Sequence, residues 1–151
     1  MKIEEKRKTE LIAAGVFFGA AFVFFRFFYQ YHLYFVEQLQ IFLLTPAHFL
    51  SYFSKPGFLS SYIGDFLTQF YYLSGGGPAV ISLTLMLLWL LVRRLLNLWN
   101  EKDNGFLWPL IPSVFSWIAL CDPEFPLAAV IGLIIAIASF LVYRSIGRET
   151  I

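Results

Sequence analysis

The sequence predicts an all-α, polytopic membrane protein: about four transmembrane helices, with a periplasmic amphipathic helix-turn-helix between the first and second. Three observations lead there. Of 151 residues, 59% are hydrophobic and 14% charged, whereas soluble domains carry about 45–50% apolar and 25% charged residues. A water-soluble domain of this size still needs a polar coat. The apolar residues fall in long blocks, with the charges gathered between them. Finally, the cationic residues alternate in a way that assigns sides.

Residues 1–10 form a charged head carrying Lys2, Lys6, Arg7 and Lys8. An apolar run follows at 11–25, then Arg26 and more aromatics. A basic head before an apolar run also describes a signal peptide, but the run passes into Phe and Tyr with no small-x-small cleavage site. We therefore read 11–32 as an uncleaved first span. The second span, 78–99, begins at Pro78. Its strictly apolar part is short of the roughly 20 residues that cross a bilayer; Arg93 and Arg94 can snorkel, and Leu95, Leu96, Leu98 and Trp99 extend it. Residues 100–105 read as a polar turn. The third span, 106–120, carries Pro109 and Pro112, tolerated in a membrane where neighbours satisfy the freed carbonyls. The fourth, 126–143, holds no charge, and Arg144 and Arg148 close it before the tail at 144–151.

With the N-terminus inside, the cytoplasmic segments hold Lys2, Lys6, Arg7, Lys8, Arg93, Arg94, Lys102, Arg144 and Arg148, and the outer segments hold Lys55. The positive-inside rule then puts both termini in the cytoplasm. Arg26 falls near the outer end of the first span.

Residues 33–77 are the interfacial part. Glu37, Gln38, Gln40, Thr45, His48 and Ser51 share about half a helical wheel, and Leu39, Phe42, Leu43, Phe49, Leu50 and Phe53 the other half, the pattern of an amphipathic helix. Thr45-Pro46 divides it, since Thr suits an N-cap and Pro the first helical position. Lys55-Pro56-Gly57 is a turn signal. Ser61, Asp65, Thr68, Gln69 and Tyr72 then recur at helical spacing until Gly75-Gly76-Gly77-Pro78 ends the helix. Such a hairpin lies in the interface plane, or dips in against the spans, or crosses twice in a six-span arrangement.

Ionisable groups at membrane depth are candidates for function because placing them there is costly. Arg26, Glu37 and Asp65 are those candidates, as the lining of a polar cluster or as an Arg26 pairing that fixes the hairpin; the alternative has Arg26 snorkelling and both acids solvated. Asp122 and Glu124 lie in a short outer turn, where they meet solvent or a cation. His32 and His48 are too far apart in sequence for paired metal ligands and suit interfacial anchoring. Cys121, the single cysteine, allows no internal disulfide and has no neighbouring base to activate it. Gly15 and Gly19 form a small-xxx-small pair that permits close helix packing. Gly75–77 lacks the Lys-Ser/Thr of a phosphate loop. No triad, dinucleotide fingerprint or metal cluster is present, so no cofactor is expected and a self-contained enzyme is disfavoured. No basic, aromatic-interleaved polar patch points to nucleic acid.

The stretches Glu37-Gln38-Leu39-Gln40-Ile41-Phe42, Lys55-Pro56-Gly57 and Tyr62-Ile63-Gly64-Asp65-Phe66-Leu67-Thr68-Gln69-Phe70 resemble the N-terminal part of an uncharacterised family of multispanning inner-membrane proteins of Bacteroidetes. The resemblance covers residues 10–95. Members of that family are longer and show Pro-Gly-Gly where this chain has Pro56-Gly57-Phe58, which marks it as a truncated or reduced member. The resemblance implies location in a bacterial inner (plasma) membrane; the family has no assigned activity to carry over.

Three functions fit these expectations. The first is a structural or assembly subunit that packs with other membrane subunits or with itself. The second is the front of a lipid-linked glycosyltransferase-like enzyme, with Glu37 and Asp65 as its acids. The third is a small oligomeric transporter or channel lined by Arg26, Glu37 and Asp65.

Overall fold

Helices account for most of the described residues, and there is no strand among them. The structure is a computed structural model that describes residues 2–39, 42–99 and 107–149. The expected polar turn at 100–105, together with Gln40 and Ile41 of the hairpin, lies outside the described residues. In chain order the elements are α1 (Lys2–Phe27), α2 (Gln30–Leu39), α3 (Pro46–Tyr52), α4 (Phe58–Thr68), a 3-10 turn (Gln69–Tyr72), α5 (Gly76–Trp99), α6 (Leu107–Leu120) and α7 (Leu127–Glu149).

Two helices, α5 and α7, are long and apolar enough to cross a membrane, and α1 with α2 makes a third if the pair counts as one span. That pair bends by 71° at its break. Helix α1 therefore stops at Phe27, inside the stretch 11–32 expected as the first span, and the last residues of that stretch start a second helix at a steep angle. α6 has 14 residues, about 21 Å at 1.5 Å per residue, against a hydrocarbon core of about 30 Å.

α5 is the hub, touching α1, α6 and α7. Its Ile81, Leu85, Leu88 and Val92 are buried because they recur at helical spacing on one stripe, while Leu83, Leu87 and Leu90 on the opposite stripe stay exposed. α1 and α6 meet beside it through aromatic rings. Trp117 packs on Phe17, Phe24 and Phe25 at centroid separations of 5.4, 5.5 and 6.1 Å. Ser113, fully buried, donates from Oγ to the Leu85 carbonyl at 3.2 Å. This is the kind of cross-helix bond a polar side chain makes where no water competes.

The helix ends sort into two sets. At one end Tyr29 Oη donates to the Cys121 carbonyl at 2.7 Å, and Arg26 Nη2 donates to Ser74 Oγ at 3.0 Å. At the other, Arg144 Nη2 donates to the Leu98 carbonyl at 3.2 Å. The first set joins the end of α1, the approach to α5 and the end of α6; the second joins the later parts of α5 and α7.

Candidate functional site

The hairpin of α3 and α4 forms where the sequence signals predict. Thr45 Oγ1 accepts from the His48 backbone N–H at 3.3 Å, and Pro46 opens α3. Gly57, at φ +67°, takes the left-handed conformation that begins α4, one that costs glycine nothing sterically. The two short helices run antiparallel. Phe42 touches Phe66 and Tyr62, Phe49 touches Tyr62, and Phe53 stacks on Phe58 at 4.6 Å. This ladder orders the pair from its opening at Phe42 to its tip at Lys55-Pro56-Gly57.

α4 then lies along α7 more closely than ordinary side chains permit. A Cβ placed on Gly64 would fall 2.7 to 2.8 Å from the Cα, Cβ and N of Ala128. One turn away, a Cβ on Gly132 would meet Ser60 Oγ at 3.5 Å. Beyond that, a cleft of about 440 Å³ is lined by Gly57, Phe58, Leu59, Ser60, Gly132, Ile135 and Ala136. The order 64–128, 60–132 is antiparallel, and Gly57 and Ala136 both line the cleft beyond it, which carries the hairpin tip toward the middle of α7. Measured from Leu127 to Ala136, that is about 13.5 Å along the axis at 1.5 Å per residue.

The polar residues of this region are few. Tyr52, 3% exposed, donates from Oη to Asp65 Oδ2 at 2.6 Å. Burial, and then the bond to the Asp65 carboxylate and its charge, push the Tyr52 phenol well above its ordinary range, so it stays the donor. Lys55 Nζ lies 4.5 Å from the centroid of the same ring, within cation–π range. His48 packs on Phe42 and Tyr52, and its Nε2 is shielded with no hydrogen-bond partner.

Arg26, Glu37 and Asp65 are not joined to one another. Arg26 donates to Gln30 Oε1 and to Ser74 Oγ, and Gln30 passes the chain to Tyr34 Oη. This amide-and-hydroxyl relay ties the bend between α1 and α2 to the approach to α5. Asp65 belongs to Tyr52. Glu37 is half-buried. Gly15 and Gly19 meet nothing within 4 Å of an added Cβ; within the chain, the close approach predicted for them is found at Gly64 instead. His32 stacks on Tyr29, and no group of three His, Cys, Asp or Glu could hold a metal among the described residues. Asp122 Oδ1 accepts from the Glu124 N–H at 3.0 Å, a local turn. Burial raises the Cys121 thiol, which makes it less nucleophilic at neutral pH.

Sequence reading missed Tyr52 and the α4–α7 seam. The seam had a signal: Ser60, Gly64 and Thr68 are spaced by four, as are Ala128, Gly132 and Ala136, two small-residue rows of the sort that let helices meet closely.

Fold and site together define an all-α protein with helices able to cross a membrane and no recognisable reaction centre among the described residues. A protein-family model covers residues 6–151, and the chain belongs to that family, DUF6057, a family of unknown function. No curated protein and no solved structure matches the chain.

Proposed function

We propose that the chain is a four-span inner-membrane subunit that works by packing with other membrane proteins, and that its α3–α4 hairpin re-enters the bilayer from the outer face. α1, α5, α6 and α7 are the spans, both termini are cytoplasmic, and the hairpin is periplasmic in origin. One observation carries the reading. The irregular turn Lys55-Pro56-Gly57 is exposed at the level of the middle of α7. The Lys55 N–H and the Gly57 carbonyl are bonded within the hairpin, but the other backbone groups of the turn would each cost several kcal/mol facing lipid at such depth, so a further protein surface has to cover them. The orientation draws support from Arg93, Arg94 and Arg144 near one end of the bundle and from Arg26, Ser74 and Cys121 at the other, in keeping with the positive-inside rule.

The test is the mass of the chain extracted from its native membrane in mild detergent, read by light scattering with the detergent contribution removed. A protein mass well above the 17.4 kDa of one chain is expected. A protein mass of one chain in several mild detergents, with the full helical signal, refutes the subunit reading. Reporter fusions after residue 151 are expected to be active in the cytoplasm; activity on the outer side refutes the topology.

A further inference from the structure

We infer that the occupant of the hairpin tip is a transmembrane helix of a different protein, one carrying a carboxylate near the middle of its span that pairs with Lys55. The inference rests on the re-entrant reading just given and adds the partner's chemistry.

Lys55 is exposed at the tip and makes no ion pair with a described residue; its ammonium lies over the Tyr52 ring. An ammonium that deep in a bilayer calls for a counter-charge or water. The chain's own acids do not supply one. Asp65 accepts from the hydroxyl of the same Tyr52 whose ring lies under Lys55, so it is already engaged by that donor and makes no ion pair with the ammonium. Of the other acids whose side chains the structure describes, Glu37 lies on α2, beside the approach to α5, and Asp122 and Glu124 lie in the turn before α7, away from the middle of α7.

A second copy fails for the same reason. A closed assembly in a membrane has its symmetry axis along the bilayer normal, so equivalent residues share one depth. Two copies meeting at their tips bring Lys55 against Lys55, and an inverted copy also presents its acids at the membrane surfaces. Charge complementarity therefore selects a different chain. The cleft beside the tip suits a helix backbone, because Gly57, Ser60, Gly132 and Ala136 on its walls are the small residues that admit close approach.

The experiment places a photo-crosslinking residue at Leu59, which is exposed and lines the cleft, in the full chain in its native membrane. Crosslinked peptides are sequenced by mass spectrometry, with Lys55 intact and as Lys55→Leu and Lys55→Arg. The expected product is a transmembrane peptide of another protein with Asp or Glu in its central third. Its yield should fall roughly tenfold or more in Lys55→Leu, since removing one partner strands a buried charge, and be largely kept in Lys55→Arg. A crosslink to a second copy, to lipid alone, or to a peptide with no central acid overturns the inference, as does a yield indifferent to Lys55→Leu. Failure of the re-entrant reading is separately visible. Ser54→Cys in a Cys121→Ser chain should react slowly with an impermeant maleimide on intact cells; labelling as fast as Asp122→Cys puts the tip at the surface and sinks both.

Discussion

Gly64→Ala tests the α4–α7 seam, and Gly15→Ala is its control. The same methyl group is added to a helix in both cases, and the same intrinsic gain of about 1 kcal/mol accompanies each. At Gly15 nothing lies within 4 Å, so the gain is kept. At Gly64 the new carbon would sit 2.7 to 2.8 Å from three Ala128 atoms, two of them backbone. Carbon atoms rest at about 3.5–4.0 Å, so α4 must retreat by roughly 1 Å, and such a gap forfeits about a quarter to a half of each contact's attraction. Overpacking of this kind costs about 1–3 kcal/mol. The two variants should therefore differ by about 1–3 kcal/mol, a factor of roughly 5 to 150 in the unfolding equilibrium. Equilibrium unfolding in mixed dodecylmaltoside and SDS micelles, followed by Trp fluorescence, reads the difference. If Gly64→Ala stabilises as much as Gly15→Ala, α4 does not lie on Ala128, and the depth assigned to the hairpin tip falls with it.

Other changes probe the remaining contacts. Tyr52→Phe removes the donor to Asp65 and should cost about 1–3 kcal/mol in the same titration, with Asp65→Asn milder; equal stability of Tyr52→Phe would refute the bond. Ser113→Ala should cost only about 0.6 kcal/mol, the average for interhelical bonds in membranes, and a loss above 2 kcal/mol would point to a role beyond the Leu85 carbonyl. Trp117→Ala should cost about 3–5 kcal/mol, because one ring joins Phe17, Phe24 and Phe25. Cys121, its thiol raised by burial, should alkylate more slowly than a free cysteine at neutral pH and accelerate as pH rises past the usual thiol range; a rate matching a free peptide thiol would contradict that environment.

Most helices and several of their breaks were legible because they rest on local chemistry, though the sharp break between Phe27 and Gln30 was not. Thr45-Pro46 caps α3 and Gly57 opens α4 for reasons contained in those residues and their neighbours. The break before α5 was legible too, though it falls at Gly75 with φ +90°, and Gly76 and Gly77 already belong to the helix. The polar cluster could not be read from the sequence. A wheel places Glu37 and Asp65 on polar faces, but which donor meets each is a tertiary matter. Tyr52 looks like one more interfacial aromatic until α4 folds back and brings Asp65 to within 2.6 Å. Gly15 and Gly19 drew attention because they stand in an apolar run; the productive small residues were shared between two segments more than sixty apart, and only their joint spacing marks them.

That difference bears on how the chain is held together. A hairpin lying flat at the interface is anchored by apolar faces and needs no match with a particular span. One laid against α7 through Gly64 and Ala128 is held by shape, and shape here depends on the absence of side chains. Between helices already out of water, contact and hydrogen bonding do the selecting, since lipid tails are as apolar as leucine. In the re-entrant arrangement proposed above, that packing sets the depth of the hairpin, and of Lys55 with it. A lysine on a mobile surface loop would find water unaided. On that proposal, a lysine held at the tip of a hairpin packed on α7 has to be met by something at its own level, which makes it a position where the identity of a neighbour matters.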